Sequence, residues 1–459
     1  MLKPYENYKD IAAPWLDVIP TSWQEKRIRE LFAERRTKVS DKDFSPLSVS
    51  KKGVVPQLES AVKTDNGDNR KLVCKKDFVV NSRSDRKGSS GISDYDGSVS
   101  LINIVLQPRN DINEKYFHYL LRSNSFIEEF YRNGRGIVSD LWTTRYSEMK
   151  NIIVPLPTEN EQDKMAHFLD WKCSDIHKVI KAKKKQIKIL NEGKVAVINN
   201  AICPDYNYPI NANGTKGLDQ NAIPEGWGMF KLRDICRLNP STLIEQKEIS
   251  EDEKVLFLSM DKVEKNGLYD MESFRRYKEV KNGFSTFISN DVLLAKITPC
   301  FENGKGTWLY KMPTLIGCGT SEFIVLRANE NVLPEYLFRI TQSGYFRLLG
   351  ERFMTGSAGQ KRITPEFVKN FLIAIPDKDT QAKILEILRI DLSKIEFMIG
   401  KIQDEIAKIK EYHTRLISDV VTGKVDVRDV IIPSFESDVE EIDEADDVEE
   451  REDEVYADE

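Results

Sequence analysis

The chain repeats itself, and the repeat constrains the fold more than any single motif does. Ile19-Pro20-x-x-Trp23 returns as Ile223-Pro224-x-x-Trp227, an offset of 204. A short amphipathic stretch follows each: Lys26, Ile28, Leu31 and Phe32, then Lys231, Leu232, Ile235 and Cys236. Asn151-Ile-Ile-Val-Pro-Leu-Pro157 returns as Asn370-Phe-Leu-Ile-Ala-Ile-Pro376 at an offset of 219, which also relates Gln162 to Gln381. The second half thus holds 15 more residues between the same landmarks.

Each half closes on a long helix. Positions 169, 173, 176, 180, 183, 187, 190, 194, 197 and 201 alternate 4 and 3 apart, and eight of the ten are apolar. The same positions plus 219 are apolar in nine of ten. Sustained 3–4 spacing is the coiled-coil pattern. Leu169, Ile176, Ile180, Ile187 and Leu190 on one helix, and Leu388, Ile395, Ile399, Ile406 and Ile409 on the other, are expected to pack together. Both are polar at the same late position, Lys194 and His413. A helix of about 40 residues spans roughly 60 Å, a rod rather than a core element.

Between the landmarks the chain reads as mixed structure. Asp77–Val80, Ser98–Leu106, Asp291–Ile297 and Phe323–Leu326 read as strands, and Tyr116–Tyr131 and Glu335–Leu349 as helices. The expected fold is α/β (α+β): two globular parts, a pseudo-two-fold repeat, separated by two long antiparallel coiled-coil helices. The expected boundaries are 1–157 and 223–376 for the globular parts, 158–203 and 377–425 for the helices, 204–222 for a linker and 426–459 for an acidic tail.

Charge is unevenly placed. From Ser434 onward there are 15 Asp or Glu and one Arg, a net −14; the whole chain carries −6, which leaves +8 on residues 1–433. A mildly basic body is compatible with contact to phosphates. A run this acidic repels itself and reads as a disordered, solvated tail, or as a DNA mimic that weakens non-specific binding. Lys178, Lys181, Lys183, Lys184, Lys185 and Lys188 crowd the first long helix. They read as a solvated face, or as a stretch touching phosphates without reading bases. No apolar run is long enough to cross a bilayer and the opening residues lack a leader's apolar core, so a cytoplasmic chain with no membrane contact is expected.

Catalytic signatures are missing. No GxxxxGK[ST] loop and no glycine fingerprint for an adenosine cofactor is present, and Asn239-Pro240 runs into Ser241 rather than a second proline. Pro204-Asp205 with Asp252-x-Lys254 or Glu279-x-Lys281 is a nuclease-like fragment, but it needs its carboxylates to converge on one ion. The six cysteines form no CxxC pair and read as reduced, mostly buried thiols; no metal site is expected. The four histidines have no Cys or Ser partner at a suggestive spacing, and His167 and His177 read as surface residues of the first long helix. No catalytic residue and no cofactor of the chain's own is expected.

Basic, glycine-containing loops occur in both halves. Asn81–Ser89 offers Arg83, Arg86, Lys87 and Ser89, and Arg132–Gly136 offers Arg132 and Arg135. In the second half Lys296 and Thr298 follow a strand, Thr320 and Ser321 precede one, and Gly356–Arg362 carries Gln360, Lys361 and Arg362. Arg and Lys pair with guanine edges, Gln and Asn with adenine, and hydroxyls hold phosphates.

These residues resemble the DNA specificity subunits of type I restriction-modification systems, over nearly the whole chain to about residue 430. The resemblance rests on Asp291–Lys305 (DVLLAKITPCFENGK), Gly319-Thr-Ser-Glu-Phe323, Gly359-Gln-Lys-Arg-Ile363, Val154-Pro-Leu-Pro157 with Glu161-Gln162, Val421-Thr-Gly-Lys424, and Trp15 before Ile19-Pro20-x-x-Trp23. Asp77–Asn81 with Asp96–Ser100 is similar to another common version of the recognition domain. The chain departs where Glu161-Gln162 becomes Thr380-Gln381, and in its acidic tail.

The resemblance implies two target recognition domains, each reading half of a bipartite, asymmetric site on double-stranded DNA, with the helices setting the gap. It implies two modification (methyltransferase) subunits as partners, using S-adenosylmethionine, and restriction (motor-nuclease) subunits using ATP and Mg. A specificity subunit of a methylation-only complex, a coiled-coil scaffold without a DNA role, and a stand-alone methyltransferase or nuclease are the alternative readings.

Overall fold

The computed structural model describes residues 3–57, 67–109, 112–136, 142–203, 223–246, 248–265, 267–357 and 360–435. The 204–222 linker with Pro204-Asp205, the pair Ala358-Gly359, and 436–459 of the acidic tail lie outside the described residues. The chain divides into two compact units. One gathers the described residues up to Lys184 with those from Gln403 to Phe435; the other holds the described residues of Lys185–Ile402.

Each unit is built on the same four-stranded antiparallel sheet. Its order is Ser90–Ile92, Phe78–Asn81, Asn103–Pro108, Phe32–Glu34 in the first unit. In the second it is Gly306–Trp308, Val292–Ala295, Phe323–Ala328, Cys236–Leu238. The central strands, FVVN and VLLA, are buried along their whole length, so apart from Asn81 they read as continuous apolar runs rather than as alternation. The repeat's landmarks also pair with each other. Gln24–Arg27 lies antiparallel to Ile153–Leu156, and Gly228–Lys231 to Leu372–Ile375. The turn before each pair is the same: Trp23 N–H donates to the Pro20 carbonyl at 3.0 Å and Trp227 N–H to that of Pro224 at 3.1 Å. Across each pair an arginine donates to an asparagine, Arg29 to Asn151 and Arg233 to Asn370, both at 3.2 Å.

The copies diverge inside this frame. The offset is 204 from Phe32 to Cys236, 214 from Phe78 to Val292 and 220 from Asn103 to Phe323, so the extra residues enter before and just after the central strand. There the first unit has a three-stranded sheet (Lys38–Val39, Arg70–Val73, Gly97–Val99) and a hairpin, Leu47–Ser50 with Gly53–Pro56. The second has a four-stranded sheet in which Lys254–Leu258 runs parallel to Gly317–Gly319.

Three expectations need correction. Ser98–Leu106 is not one strand: a turn at exposed Leu101-Ile102 separates Gly97–Val99 from Asn103–Pro108. Tyr116–Tyr131 is two helices, Glu114–Arg122 and Asn124–Arg132, and Glu335–Leu349 is likewise Pro334–Gln342 and Gly344–Arg352. Ser123 and Ser343 break them. Each sits extended, with ψ of 144° and 140°, and its hydroxyl caps the next helix by accepting from Phe126 N–H or Phe346 N–H.

The two long helices are Glu159–Ile202 and Lys378–Val421, 44 residues each. Within each unit their segments pair antiparallel. In the first unit Lys183 meets Glu405 at 2.5 Å and Cys173 meets His413 at 3.2 Å; in the second Lys194 meets Glu396 at 3.0 Å. Numbers rise on one helix as they fall on the other. Leu169, Ile176 and Ile180 are buried in the first unit's core, against which Ile406 and Ile409 pack half-buried. In the second unit Leu388 is buried, and Ile187, Leu190, Ile395 and Ile399 are half-buried. The polar exceptions of the pattern, Lys183, Lys194 and His413, are the ones bonded across the seam. The second long helix ends on the first unit's opening turn. Gly423 has φ +79°, and a Cβ there would sit 2.5 Å from Pro20 Cδ, so the close approach requires glycine.

Candidate nucleic-acid interface

Each unit gathers its basic segments by the same device. In the first, Thr143 is bridged to both Arg83 and Arg135, and Ser84 N–H donates to the Trp142 carbonyl at 3.1 Å. Tyr131 supports the loop from beneath, its hydroxyl donating to the Asn81 carbonyl at 3.0 Å. In the second, Arg362 is bridged to both Ile297 and Thr355. Thr143 and Arg362 are 219 apart, the offset of the repeat's closing landmarks. The segments around 83, 135 and 143 therefore correspond to those around 297, 355 and 362.

The side chains on this shared frame differ. Arg83, Arg86 and Arg135 are exposed in the first unit, the Arg135 side chain 85% so, with Glu148 at 3.8 Å. Lys87 pairs with Glu128 at 2.7 Å, and Arg132 clasps Glu129 through Nε at 2.6 Å and Nη2 at 2.8 Å. Ser89 is buried at 6% exposure and its backbone bonds to Asn81 and Arg86, so it supports the loop instead of facing solvent, contrary to the expectation.

In the second unit Ser321, Gln360 and Lys361 are exposed, while Lys296, Thr298, Thr320 and Arg362 are half-buried. Thr298 donates to the Lys361 carbonyl through its N–H at 2.9 Å and its hydroxyl at 3.0 Å. Lys296 N–H donates to the Glu322 carbonyl and Ile363 N–H to that of Lys296. Three segments distant in sequence, 296–298, 320–322 and 360–362, thus form one patch. Glu322 holds Arg362 there, accepting from Nε at 3.0 Å and Nη2 at 3.0 Å, and this hydrogen bonding raises the guanidinium's pKa above its usual value.

Glu322, Glu128 and Glu129 are what the basic-loop pattern overlooked. Glu129 precedes Arg132 by one helical turn, a spacing that signals a pair, and Glu322 lies inside Gly319–Phe323. A patch of this kind offers guanidinium, ammonium and amide donors with carboxylates that fix their direction, which suits phosphates and base edges.

At the opposite end of each central strand from the patch lies one more shared feature. Asp77 and Asp291 precede the central strands and are almost fully buried. Each takes two bonds from an arginine: Arg35 at 2.7 and 3.1 Å, Arg327 at 2.7 and 2.8 Å. Arg327 belongs to Phe323–Ala328, whereas Arg35 follows the edge strand Phe32–Glu34.

Catalytic geometry is not among these features. His413 Nε2 lies 3.2 Å from Cys173 Sγ, a partner that sequence spacing did not suggest. Burial pushes that thiol up to about 12, so it is no thiolate nucleophile. His177, half-buried rather than on the surface, faces His413 with ring centroids 5.8 Å apart. None of the six cysteines is in a disulfide, and among the described residues no group of three or more His, Cys, Asp or Glu is placed to hold a metal ion. No helix among the described residues is long and apolar enough to cross a membrane.

Comparison with known proteins gives this geometry a family. The Escherichia coli type I restriction enzyme EcoEI specificity subunit is 32% identical over 208 residues, 44% of this chain and 33% of that one. The Escherichia coli EcoAI specificity subunit is 30% identical over 212 residues, 45% of this chain and 34% of that one. Each match thus spans about a third of the relative's length. Among solved structures, a chain described under complex assembly and conformational transition of the type I R-M system superimposes with a TM-score of 0.61 at 14% identity, covering 89% of this chain and 99% of that one. It shares the fold. The profile of the type I restriction modification DNA specificity domain matches twice, at residues 20–189 and 224–409, so the chain belongs to that family.

Proposed function

We propose that the chain is the sequence-reading subunit of a type I restriction-modification complex and carries no reaction of its own. Each unit reads one half of a bipartite, asymmetric site on double-stranded DNA, and the lengths of the paired helices set the gap. The observation that carries this reading is the shared patch frame. The Thr143-centred and Arg362-centred clusters have the same bridging pattern but different side chains, as two readers of two different half-sites require. Two methyltransferase subunits, with S-adenosylmethionine, modify the bound site, and restriction subunits, with ATP and Mg, cleave DNA that lacks the mark.

The test is methylation mapping by long-read sequencing in cells carrying this chain and its neighbouring modification subunit. A single asymmetric motif with a fixed gap, lost on deletion of the chain, is the expected result. An active modification subunit that leaves no gapped motif would overturn the reading.

A further inference from the structure

In each patch three chain segments lie side by side, and their backbone bonds match residue for residue. In the first unit Thr143 and Arg135 exchange both backbone bonds, N–H to carbonyl at 3.0 Å each way. On the other side the bonds belong to the neighbours: Ser84 N–H donates to the Trp142 carbonyl at 3.1 Å and Thr144 N–H to that of Ser82 at 3.0 Å. Thr143 therefore faces Arg83 as a non-hydrogen-bonded pair. The second unit repeats the pattern. Arg362 and Thr355 exchange bonds at 2.8 and 3.0 Å. Thr298 N–H donates to the Lys361 carbonyl at 2.9 Å and Ile363 N–H to that of Lys296 at 2.8 Å, which leaves Arg362 facing Ile297. The row Arg83, Thr143, Arg135 is thus the counterpart of Ile297, Arg362, Thr355. The offset from Arg83 to Ile297 is 214, that of the central strands themselves.

Residues directly opposite in an antiparallel ladder carry their side chains on the same face. Cα spacings of about 4.5 Å in the open pair and about 5.5 Å in the bonded pair set the ends of each row about 10 Å apart. That is about three base-pair steps of 3.4 Å. The two rows carry opposite chemistry. In the first, exposed arginines flank a threonine; in the second, one half-buried arginine lies between half-buried Ile297 and exposed Thr355.

We propose that each row lies along the major groove and sets the base chemistry of its half-site. The first unit's row selects two guanines about three steps apart, through Arg83 and Arg135. The second unit's row selects one guanine, through Arg362, with a thymine one or two steps to either side. Arginine pairs with guanine O6 and N7, while the methyl groups of Ile297 and Thr355 suit the thymine methyl. This deepens the DNA-reading role proposed above and rests on it. It adds Ile297 and Thr355 to the residues that determine specificity.

The experiment is methylation mapping in cells that carry the neighbouring modification subunit with the full chain or a variant of it. Arg83→Ala and Arg135→Ala should each release one guanine, both in the same half-site and about three steps apart. At each released position the methylated share of sites with another base should rise about tenfold. Arg83→Lys should keep its guanine, since an ammonium also pairs with O6 and N7. Thr355→Asn should release a thymine in the other half-site. These three positions are exposed, and melting temperatures of the purified variants check that the fold is kept. Arginine variants that relax no position, or positions in different halves, overturn the row and leave the DNA-reading role standing. A uniform fall in methylation with the motif unchanged makes the arginines phosphate contacts and overturns the row as well. No gapped motif with the unaltered chain overturns the DNA-reading role itself.

Discussion

Arg362 is clasped by Glu322, its Nε and Nη2 both 3.0 Å from the carboxylate. The pair is partly exposed, with side chains 43% and 24% accessible, so its contribution to stability is small. Its effect is on direction: the guanidinium is held at the junction of 296–298 and 360–362. Arg362→Ala is expected to cost about 1–3 kcal/mol of binding to the target and little on scrambled DNA. Glu322→Gln should tighten scrambled-DNA binding and steepen its salt dependence by about one ion. Fluorescence anisotropy on both duplexes across a salt series reads both effects, and an Arg362→Ala loss equal on the two duplexes would make Arg362 a phosphate contact only.

The cap of the first long helix predicts a reciprocal exchange in the second. Thr158 donates to the Glu161 carboxylate through its N–H at 3.2 Å and its hydroxyl at 2.9 Å. In the second copy the carboxylate is at the cap: Asp377 accepts from Thr380 N–H at 3.0 Å and from its hydroxyl at 2.9 Å. The change from Glu161 to Thr380 thus keeps the interaction and swaps its ends. Thr380→Glu alone sets two carboxylates against each other and should lower the melting temperature, and adding Asp377→Thr should restore it. Glu161→Ala should cost about 1–2 kcal/mol in urea unfolding, because the buried Trp23 indole N–H also bonds to it at 3.3 Å.

Asp291 and Asp77 should behave alike although Arg327 lies within a strand and Arg35 just after one. Removing one partner leaves the other's charge uncompensated and costs about 3–5 kcal/mol. Asp291→Ala is expected to lower the urea midpoint of the second unit and Asp77→Ala that of the first, each sparing the other unit. Limited proteolysis locates the weakened unit.

His413 makes the helix pair sensitive to acid. Burial first, and the neighbouring His177 second, depress its pKa from 6.5 to about 4, so the folded chain holds it neutral. Its contribution is fully present above about pH 6.5 and lost as pH falls towards 4, on the order of 3 kcal/mol at the acid end. His118, depressed to about 3 by burial, adds a parallel slope. His413→Leu should flatten the fall in melting temperature between pH 6.5 and 4 and leave the His118 share; an unchanged slope would remove His413 from the account.

Repeat landmarks and helix seams were legible because periodicity and spacing are properties of the chain itself. Ile28, Leu31 and Phe32 recur with Leu232, Ile235 and Cys236 since both sets bury the same face of the same short helix and edge strand. The breaks at Ser123 and Ser343 were less visible, because an amphipathic pattern runs through a one-residue cap almost undisturbed.

The amino-acid sequence by itself determined the two-fold plan, the two long helices and the uneven charge, since each depends on residue order and composition alone. Only the tertiary structure decided which basic side chains are turned outward and which are held. Lys87, Arg132 and Arg362 are held because Glu128, Glu129 and Glu322 reach them at 2.6 to 3.0 Å. Ser89, polar and in a glycine loop, lies inside, its backbone bonded to Asn81 and Arg86. Contacts such as Glu322 to Arg362, 40 residues apart, exist only once strands and turns bring distant segments within hydrogen-bond range, and one-dimensional spacing carries no record of that distance.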